Sequence, residues 1–227
     1  ATCWAPFKVP GQWLQQGFNI PQDQPVAVAR EFLLPKSWAG RRIILRFDAI
    51  HAGTRHWLNG HYLGYSENLF TPVEWDITEA ARPGQTNRLD LEMKVATVSE
   101  ALSYSSAYAF HNLGGIDRSV RVFALPPTHI AQLHLEAGLD RQYRDGELRL
   151  HLVLQSGKAR EPKLSLALKL QDAHGHNVKL SLEDSPRRTA RLAVAPFTGS
   201  AAVDLLAHFP PPQAWSAEKP YLDRLSL

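Results

Sequence analysis

One stretch of the sequence concentrates side chains that could do chemistry on a sugar. Residues 56–78 read HWLNGHYLGYSENLFTPVEWDIT. The aromatic rings of Trp57, Tyr62 and Tyr65 could stack on a pyranose, and three carboxylates, Glu67, Glu74 and Asp76, surround them. The stretch could therefore be an active site, a carbohydrate-reading surface, or the patterned core of a β-sheet.

The carboxylates are the first candidates, because a pair of them can hydrolyse a glycoside. The chain has 22 Asp and Glu residues, and such pairs are distant in sequence. Asp76 is followed two residues later by Thr78, which favours a turn in which the carboxylate accepts local backbone N–H groups. Glu74 and Asp117 stay open as pocket residues.

Histidine and cysteine spacing argues against a metal site. His51, His56 and His61 are each five residues apart, which puts alternate ones on opposite faces of an extended segment. His174 and His176 flank a glycine, which is typical of a solvated turn. Cys3 is the one cysteine, so a disulfide framework or cysteine-based zinc site is excluded. We expect no metal and no cofactor.

The aromatic residues have a structural interpretation as well. Trp57 and Leu58 alternate beside a turn, so one of the two is expected in the core. Trp38 is expected to hold a loop against the sheet. For Tyr65 and Trp75 we expect packing in the core rather than contact with a sugar.

Composition narrows the class of protein. The chain has 227 residues, 44% hydrophobic and 21% charged, with a net charge of +3. Basic residues are scattered, so no nucleic-acid partner is expected. No apolar run approaches the roughly 18 residues of a membrane span, and no signal peptide is visible. The compartment stays open between cytoplasmic and periplasmic or secreted.

Strand patterns dominate the first half of the chain, and helical periodicity is nearly absent. Asn59-Gly60 favours a type I′ hairpin turn. Residues 88–95 (RLDLEMKV) alternate strictly, placing Leu89, Leu91, Met93 and Val95 on one face. The other predicted strands are residues 26–34, 41–49, 56–58, 62–65 and 119–125. This irregular spacing favours a jelly roll.

The sequence of the second half predicts a second β-sandwich, of a different type from the jelly roll of the first half. Pro126-Pro127 marks the predicted boundary, with residues 1–127 as one domain and residues 128–227 as the other. Short alternating strands follow at even spacing, which favours an immunoglobulin-like sandwich without its disulfide. They are predicted at residues 132–136, 147–155, 163–171, 178–183, 189–194 and 201–207, with a final strand near Tyr221. The predicted fold class is therefore all-β.

The order of motifs resembles the amino-terminal region of glycoside hydrolase family 2, the family of β-galactosidases, β-glucuronidases and β-mannosidases. The motifs are VPGQW (9–13), REFLLPKSWAGRRIILRFDAI (30–50), the stretch 56–78, PGQTNRLDLEMKV (83–95) and GGIDRSVRVFALPPTHI (114–130). WSAEKPYLDRL (215–225) is similar, more weakly, to the end of that family's second domain.

The resemblance implies a sugar-binding jelly roll, an immunoglobulin-like sandwich and then a catalytic (β/α)₈ barrel. A barrel takes roughly 250 residues, which this chain cannot supply. The family's acid/base follows an asparagine, and none of the six asparagines here precedes a glutamate. We therefore expect no catalytic residue on this chain, and a fragment or an unusual stand-alone relative.

Some family members push a loop of this domain into the barrel's active site. The equivalent span here is SSAYAFHNLGGIDR (105–118), with Ala109 and His111 where the β-galactosidase pattern has Asp and Trp. The resemblance thus implies substrate-binding residues at Phe110, His111, Asn112, Asp117 and Arg118, without that pattern's galactosyl contact and sodium. The Asn-x-Gly-Gly-Ile-x-Arg form is more like the glucuronidase version.

These observations lead to one function and one alternative. The expected function is the non-catalytic amino-terminal portion of a family 2 β-glycosidase. Its expected partners are a carboxy-terminal catalytic barrel in the same polypeptide and a carbohydrate substrate. The alternative is a stand-alone carbohydrate-binding module that recognises glycans through exposed Trp or Tyr.

Overall fold

The computed structural model describes residues 4–103, 114–183 and 190–227. The chain divides into two compact units, Ala1–Pro126 and Pro127–Leu227. Both units consist almost entirely of β-strands, and α1 (Val98–Ser103) is the one α-helix among the described residues. The prediction of an all-β fold is confirmed.

Unit 1 is a β-sandwich of a four-stranded and a three-stranded sheet, in the orders β2-β7-β4-β5 and β6-β3-β9, with a small β1-β8 pair. All pairings within these sheets are antiparallel. Single turns of 3-10 helix lie at Leu14–Gln16 and Lys36–Trp38. The strands are β1 (Gly11–Gln12), β2 (Val26–Leu33), β3 (Arg42–Phe47), β4 (Gly53–Leu58), β5 (His61–Ser66), β6 (Val73–Asp76), β7 (Thr86–Lys94), β8 (Gly115–Ile116) and β9 (Val120–Leu125).

Alternation in β7 builds one wall of the core. Leu89, Leu91, Met93 and Val95 are all at most 7% exposed, as predicted from the pattern. They pack with Phe47 of β3 and Leu58 of β4 in one hydrophobic cluster. Leu58 is the buried member of the Trp57–Leu58 pair, so Trp57 lies on the opposite face of the sheet.

The hairpin between β4 and β5 has the predicted turn. Asn59 and Gly60 have φ values of 52° and 83°, the left-handed conformation that a type I′ turn requires at both positions. The Asn59 side chain also donates to Ala80 O and Asn87 Oδ1, both at 2.8 Å, and accepts from the Arg88 N–H at 2.9 Å. The asparagine therefore closes the hairpin and ties it to β7.

Two of three other aromatic residues of unit 1 pack as predicted. Trp38 and Trp75 are partly buried against the unit 1 core, as expected. The expectation for Tyr65 is wrong, because its side chain lies on the outer face of the sheet and is 47% exposed. Asp76 forms the predicted turn, since its Oδ1 accepts from the Thr78 N–H at 3.1 Å.

His56 lies inside unit 1, between two aromatic rings. Its ring centroid is 5.0 Å from that of Phe47 and 5.1 Å from that of Trp75, and the side chain is fully buried. Gly64 faces His56 across the hairpin, and a β-carbon there would lie 2.4 Å from the Trp75 ring. The absence of a side chain at Gly64 lets Trp75 cover the histidine.

Unit 2 has a four-stranded sheet in the order β10-β11-β17-β15, with β12-β16 and β14-β13-β18 as smaller antiparallel sheets. Its core contains four leucines of β11 together with Val203, Leu205, Ala207 and Phe209 of β17. The strands are β10 (Thr128–Leu139), β11 (Gly146–Ser156), β12 (Leu164–Ala167), β13 (Lys169–Gln171), β14 (Asn177–Val178), β15 (Ser181–Leu182), β16 (Arg191–Val194), β17 (Ser200–Phe209) and β18 (Arg224–Ser226).

Two of the strands predicted for unit 2 are each divided in the structure, and β10 extends beyond the predicted residues 132–136 at both ends. Residues 163–171 form two short strands, β12 and β13, which pair with different neighbours. Residues 178–183 are likewise divided between β14 and β15. Alternation continues across each break, so the sequence pattern carries no sign of the change of partner.

Candidate functional site

The segment predicted to reach a substrate pocket is described only at its carboxy-terminal end. Phe110, His111 and Asn112 lie outside the described residues. Asp117 and Arg118 are described, the first partly buried and the second exposed. The geometry of the site therefore rests on residues 114–118 and on what holds them.

Two glycines, Gly114 and Gly115, hold the start of this segment against Gly11 and Trp13. The backbone N–H of Trp13 donates to Gly114 O at 3.0 Å, and a β-carbon on Gly114 would lie only 1.9 Å from the Trp13 ring. Gly115 has a φ of 136°, and a β-carbon there would lie 2.5 Å from Gly11 O. Because a larger residue would collide at either position, Gly-Gly here is a requirement of close approach.

His51 holds the same segment from the other side. Its backbone N–H donates to Gly115 O at 2.9 Å, and its ring Nδ1 lies 2.7 Å from Asp117 Oδ2. The His51 side chain is 3% exposed and that of Asp117 21%. The ring of Phe70 packs edge-on against His51 at 5.3 Å between centroids.

The His51–Asp117 pair leaves two buried polar atoms with unused hydrogen-bonding capacity. Among the described residues, neither Nε2 of His51 nor Oδ1 of Asp117 has a hydrogen-bond partner. With the proton on Nδ1 facing the carboxylate, Nε2 is an acceptor. The pair can therefore orient the segment and still accept a hydroxyl or amide hydrogen.

Next to this pair lies a cluster of charged residues on β3, β6 and β9. Asp48 accepts from Arg46 Nε at 2.7 Å, its other oxygen lies 3.3 Å from Arg121 Nη2, and Arg46 Nη1 donates to Glu74 at 2.8 Å. The hydrogen bond from Arg46 holds the pKa of Asp48 below its usual range, with Arg121 and Arg118 adding to the effect. Glu74, left open as a pocket residue, is thus an exposed ion-pair partner of Arg46.

A groove of about 800 Å³ lies on the outer face of the four-stranded sheet of unit 1. Arg55, Tyr65, Glu92 and Lys94 line its floor, and α1 forms a wall. Tyr65 donates from its hydroxyl to Glu67 at 2.5 Å, and Glu67 also accepts from the Ser99 N–H at 3.1 Å. Burial, with the Glu67 hydrogen bond, raises the pKa of Tyr65 to about 12.

An aromatic pair continues the same face beyond the groove. Tyr62 is 50% exposed, and its ring centroid lies 5.4 Å from that of Trp57. On the other side of β4, the neighbouring strand β7 places Asp90 opposite Trp57. Aromatic rings, carboxylates and cations thus alternate over three neighbouring strands.

The described histidines that were considered for a metal site lie in different environments, although the ring centroids of His174 and His176 are 6.1 Å apart. His51 and His56 are buried, His61 is exposed, and His174 and His176 lie on the surface as predicted. Across the described ranges, no group of three His, Cys, Asp or Glu residues is placed to hold a metal ion.

Sequence reasoning selected Asp117 but missed its partner. His51 entered only the test for a metal site, because it lies 66 residues from Asp117. The sequence position of His51 did, however, indicate a buried partner. His51 follows the apolar end of the 30–50 motif, between two predicted strands, where a polar residue that becomes buried must find a specific partner.

Residues 14–126 match the family described as "Glycosyl hydrolases family 2, sugar binding domain". The chain belongs to glycoside hydrolase family 2. Among family 2 relatives, a β-galactosidase of Halalkalibacterium halodurans is 29% identical over 99% of this chain and 23% of its own length. A β-galactosidase of Lactobacillus delbrueckii subsp. bulgaricus is 33% identical over 92% of this chain and 19% of its own.

Solved family 2 structures share the fold. A glycosyl hydrolase family 2 member from Bacteroides cellulosilyticus aligns over 98% of this chain and 30% of its own, with a TM-score of 0.77 and 18% identity. The β-glucuronidase of Ruminococcus gnavus aligns over 96% of this chain and 36% of its own, with a TM-score of 0.68 and 20% identity. The predicted succession of two β-sandwiches is therefore confirmed.

The chain spans about a quarter of the length of the curated relatives it matches. None of its described helices has the length and apolar character needed to cross a membrane.

Proposed function

We propose that this chain is the non-catalytic amino-terminal portion of a β-galactosidase-like family 2 glycosidase. Residues 1–127 would be its sugar-binding jelly roll and residues 128–227 its immunoglobulin-like sandwich. The single observation that carries this proposal is the extent of the match. Several β-galactosidases align with nearly the whole chain, yet the chain accounts for only 19–23% of their length.

In this proposal the chemistry belongs to a (β/α)₈ barrel elsewhere in the polypeptide. There, two glutamates about 5–5.5 Å apart would hydrolyse terminal β-glycosides with retention of configuration. Unit 1 would contribute the segment 110–118 to the substrate pocket. Its anchors would be Gly114 and Gly115 against the backbone and the His51–Asp117 pair on the side-chain side.

Assays of the chain by itself test the non-catalytic role. We expect no turnover of nitrophenyl β-galactoside, β-glucuronide or β-mannoside, because the barrel and both glutamates would be absent. Release of nitrophenol by the purified chain, above a heat-denatured control, would refute the proposal.

Removal of the Asp117 carboxylate tests the pocket-shaping role in a full-length enzyme that contains this chain. We expect Asp117→Ala to lower kcat/KM for nitrophenyl β-glycoside about 10-fold, mainly through KM, because a loosened segment binds substrate less well without touching the reacting atoms. Steady-state kinetics measure it.

The matched control is Asp204→Ala in unit 2. Asp204 also faces a histidine, His151, at 2.7 Å, but both side chains are largely exposed, so kinetics should stay unchanged. Equal losses in the two variants, or no loss for Asp117→Ala, would show that the His51–Asp117 pair does not shape the pocket.

The outer face of unit 1 supports the second candidate function, a stand-alone carbohydrate-binding module. Tyr62 and Tyr65 are about half exposed and lie beside charged groups that could bond to sugar hydroxyls. Calorimetry with mono- and oligosaccharides separates the two functions. Millimolar or tighter binding that is lost in Tyr62→Ala would favour the binding module. No detectable binding to any of the saccharides would favour the structural role.

A further inference from the structure

Strand β10 is a long edge strand with little protection. It lies at the end of its sheet, and no described strand pairs with its outer edge. Natural edge strands are usually short or carry Lys or Pro, which discourage pairing with another chain. β10 has twelve residues, THIAQLHLEAGL, without a lysine, arginine or proline.

An apolar row on β10 is exposed although it lies on the core side of the sheet. Leu133 and Leu135 face Leu152 and Leu150 of β11, which are 0% and 2% exposed. Directly opposite residues share a face of the sheet. Leu133 and Leu135 are nevertheless 51% and 42% exposed, and Leu139 is 39% exposed. The core-side face therefore continues to the edge without a cover among the described residues.

The sequence of β10 is complementary to itself when two copies run antiparallel about Leu135. In that register Leu135 faces its own copy, and Leu133 faces Ala137 of the second copy. On the other face, His134 lies opposite Glu136, and Gln132 lies opposite Gly138. Within one chain His134 Nε2 lies 3.2 Å from Glu136 Oε1, and both side chains are exposed, at 72% and 63%, so in the dimer each would exchange this partner for its counterpart in the second copy.

Neighbouring registers are less favourable. A shift of one residue in one strand places apolar side chains against polar ones, because the side-chain period is two. A shift of two residues separates His134 from Glu136 of the second copy. In one direction His134 lies opposite His134, and in the other Glu136 lies opposite Glu136, where like charges are destabilising. Only the register centred on Leu135 satisfies both faces.

We propose that β10 pairs antiparallel with β10 of a second copy of this chain, about a two-fold axis at Leu135, and so joins two unit 2 sheets into one. The contact is isologous, so it closes as a dimer rather than a filament. It also covers the free backbone groups of both edges.

Sedimentation equilibrium of the 227-residue chain over a range of concentrations tests the proposal. We expect a concentration-dependent rise from 25.4 kDa toward twice that mass. Leu135→Lys should weaken the dimer at least about 10-fold, because it puts two like charges opposite each other on the axis. The control, Leu222→Lys, changes a leucine of the same unit that is 71% exposed and off the strand, and should leave the dimer unchanged.

The register has its own test in a Cys3→Ser background. Leu135→Cys should form a disulfide-linked dimer under mild oxidation, because the two copies of residue 135 lie directly opposite each other on the axis, where a small adjustment brings their β-carbons to the roughly 3.5–4.5 Å that a disulfide needs. Leu133→Cys should not, since its two copies would be separated by about 13 Å along the strand. Circular dichroism checks that the exposed substitutions leave the fold intact.

Charge exchange gives a further check. His134→Glu should weaken the dimer, and adding Glu136→Lys should restore it. A monomer at all concentrations would overturn the proposal and leave the row to another domain of the polypeptide. A dimer that tolerates Leu135→Lys, or equal cross-linking at both cysteine positions, would overturn it as well.

Discussion

Unit 1 is expected to lose about 3 kcal/mol of unfolding free energy as the pH falls from 6.5 to 4, because of His56. Burial lowers the pKa of His56 to about 4, and the opposing effect of the nearby backbone of Gly64 and Thr54 does not offset it, since neither ring nitrogen has a hydrogen-bond partner among the described residues. In the unfolded chain the same group has a pKa of about 6.5. Between these values the unfolded state binds a proton that the native state does not, so stability falls as the pH falls.

Urea unfolding between pH 7.5 and 4 measures this loss. Five of the six tryptophans lie before residue 76, so tryptophan fluorescence follows unit 1. His56→Phe keeps an aromatic ring between Phe47 and Trp75 but cannot titrate. Its stability should therefore fall much less over this range.

The control for His56 is His61→Phe, which removes an exposed histidine of the same unit and should keep the wild-type pH dependence. Parallel pH profiles for the wild type and His56→Phe would contradict the assignment of the loss to His56. Carboxylates whose pKa is held low, such as Asp48 and Asp76, lose their contribution at lower pH than His56 does.

Gly114→Ala is expected to destabilise unit 1 by about 3 kcal/mol, the upper part of the range for overpacking. The new β-carbon would lie 1.9 Å from the ring of Trp13, which is 3% exposed and surrounded by core residues. Either Trp13 leaves its site or the backbone of residues 114–118 moves away from it. The second movement breaks the hydrogen bond from the Trp13 backbone N–H to Gly114 O.

Thermal or urea unfolding of the variant measures the effect, and Gly157→Ala is its counterpart. At Gly157 the added carbon would meet only Pro127 O, at 3.9 Å, so stability should change little. A Gly114→Ala protein as stable as the wild type would mean that Trp13 can be displaced without cost, and that the segment is not fixed there.

Much of unit 1 could be predicted from its sequence, because local rules and tertiary packing agree there. The period of two in β7 matches a sheet with one buried face, and Asn59-Gly60 supplies the backbone conformation of its turn. In unit 2 the same alternation predicted strands correctly but not their breaks. Which neighbour a strand pairs with is decided by distant residues, and periodicity contains no information about them.

The candidate site was predictable only in part. Asp117 could be selected from the resemblance to family 2, but its partner His51 is brought to it by the fold from 66 residues away. Tyr65 was assigned to the core because aromatic residues usually pack there. Its position opposite Arg55, on the face away from Leu58, depends on a register shift between His56 and Trp57 that the sequence does not reveal.

Trp75 lies across Gly64, and this contact limits how the two positions can evolve. Any side chain at position 64 would need the space that the indole occupies, while a smaller residue at position 75 would open the histidine beneath it to water. A side chain at position 64 would also be strained, because the backbone φ there is 149°. Across family 2 sequences, a large aromatic residue at position 75 is therefore expected only together with glycine at position 64.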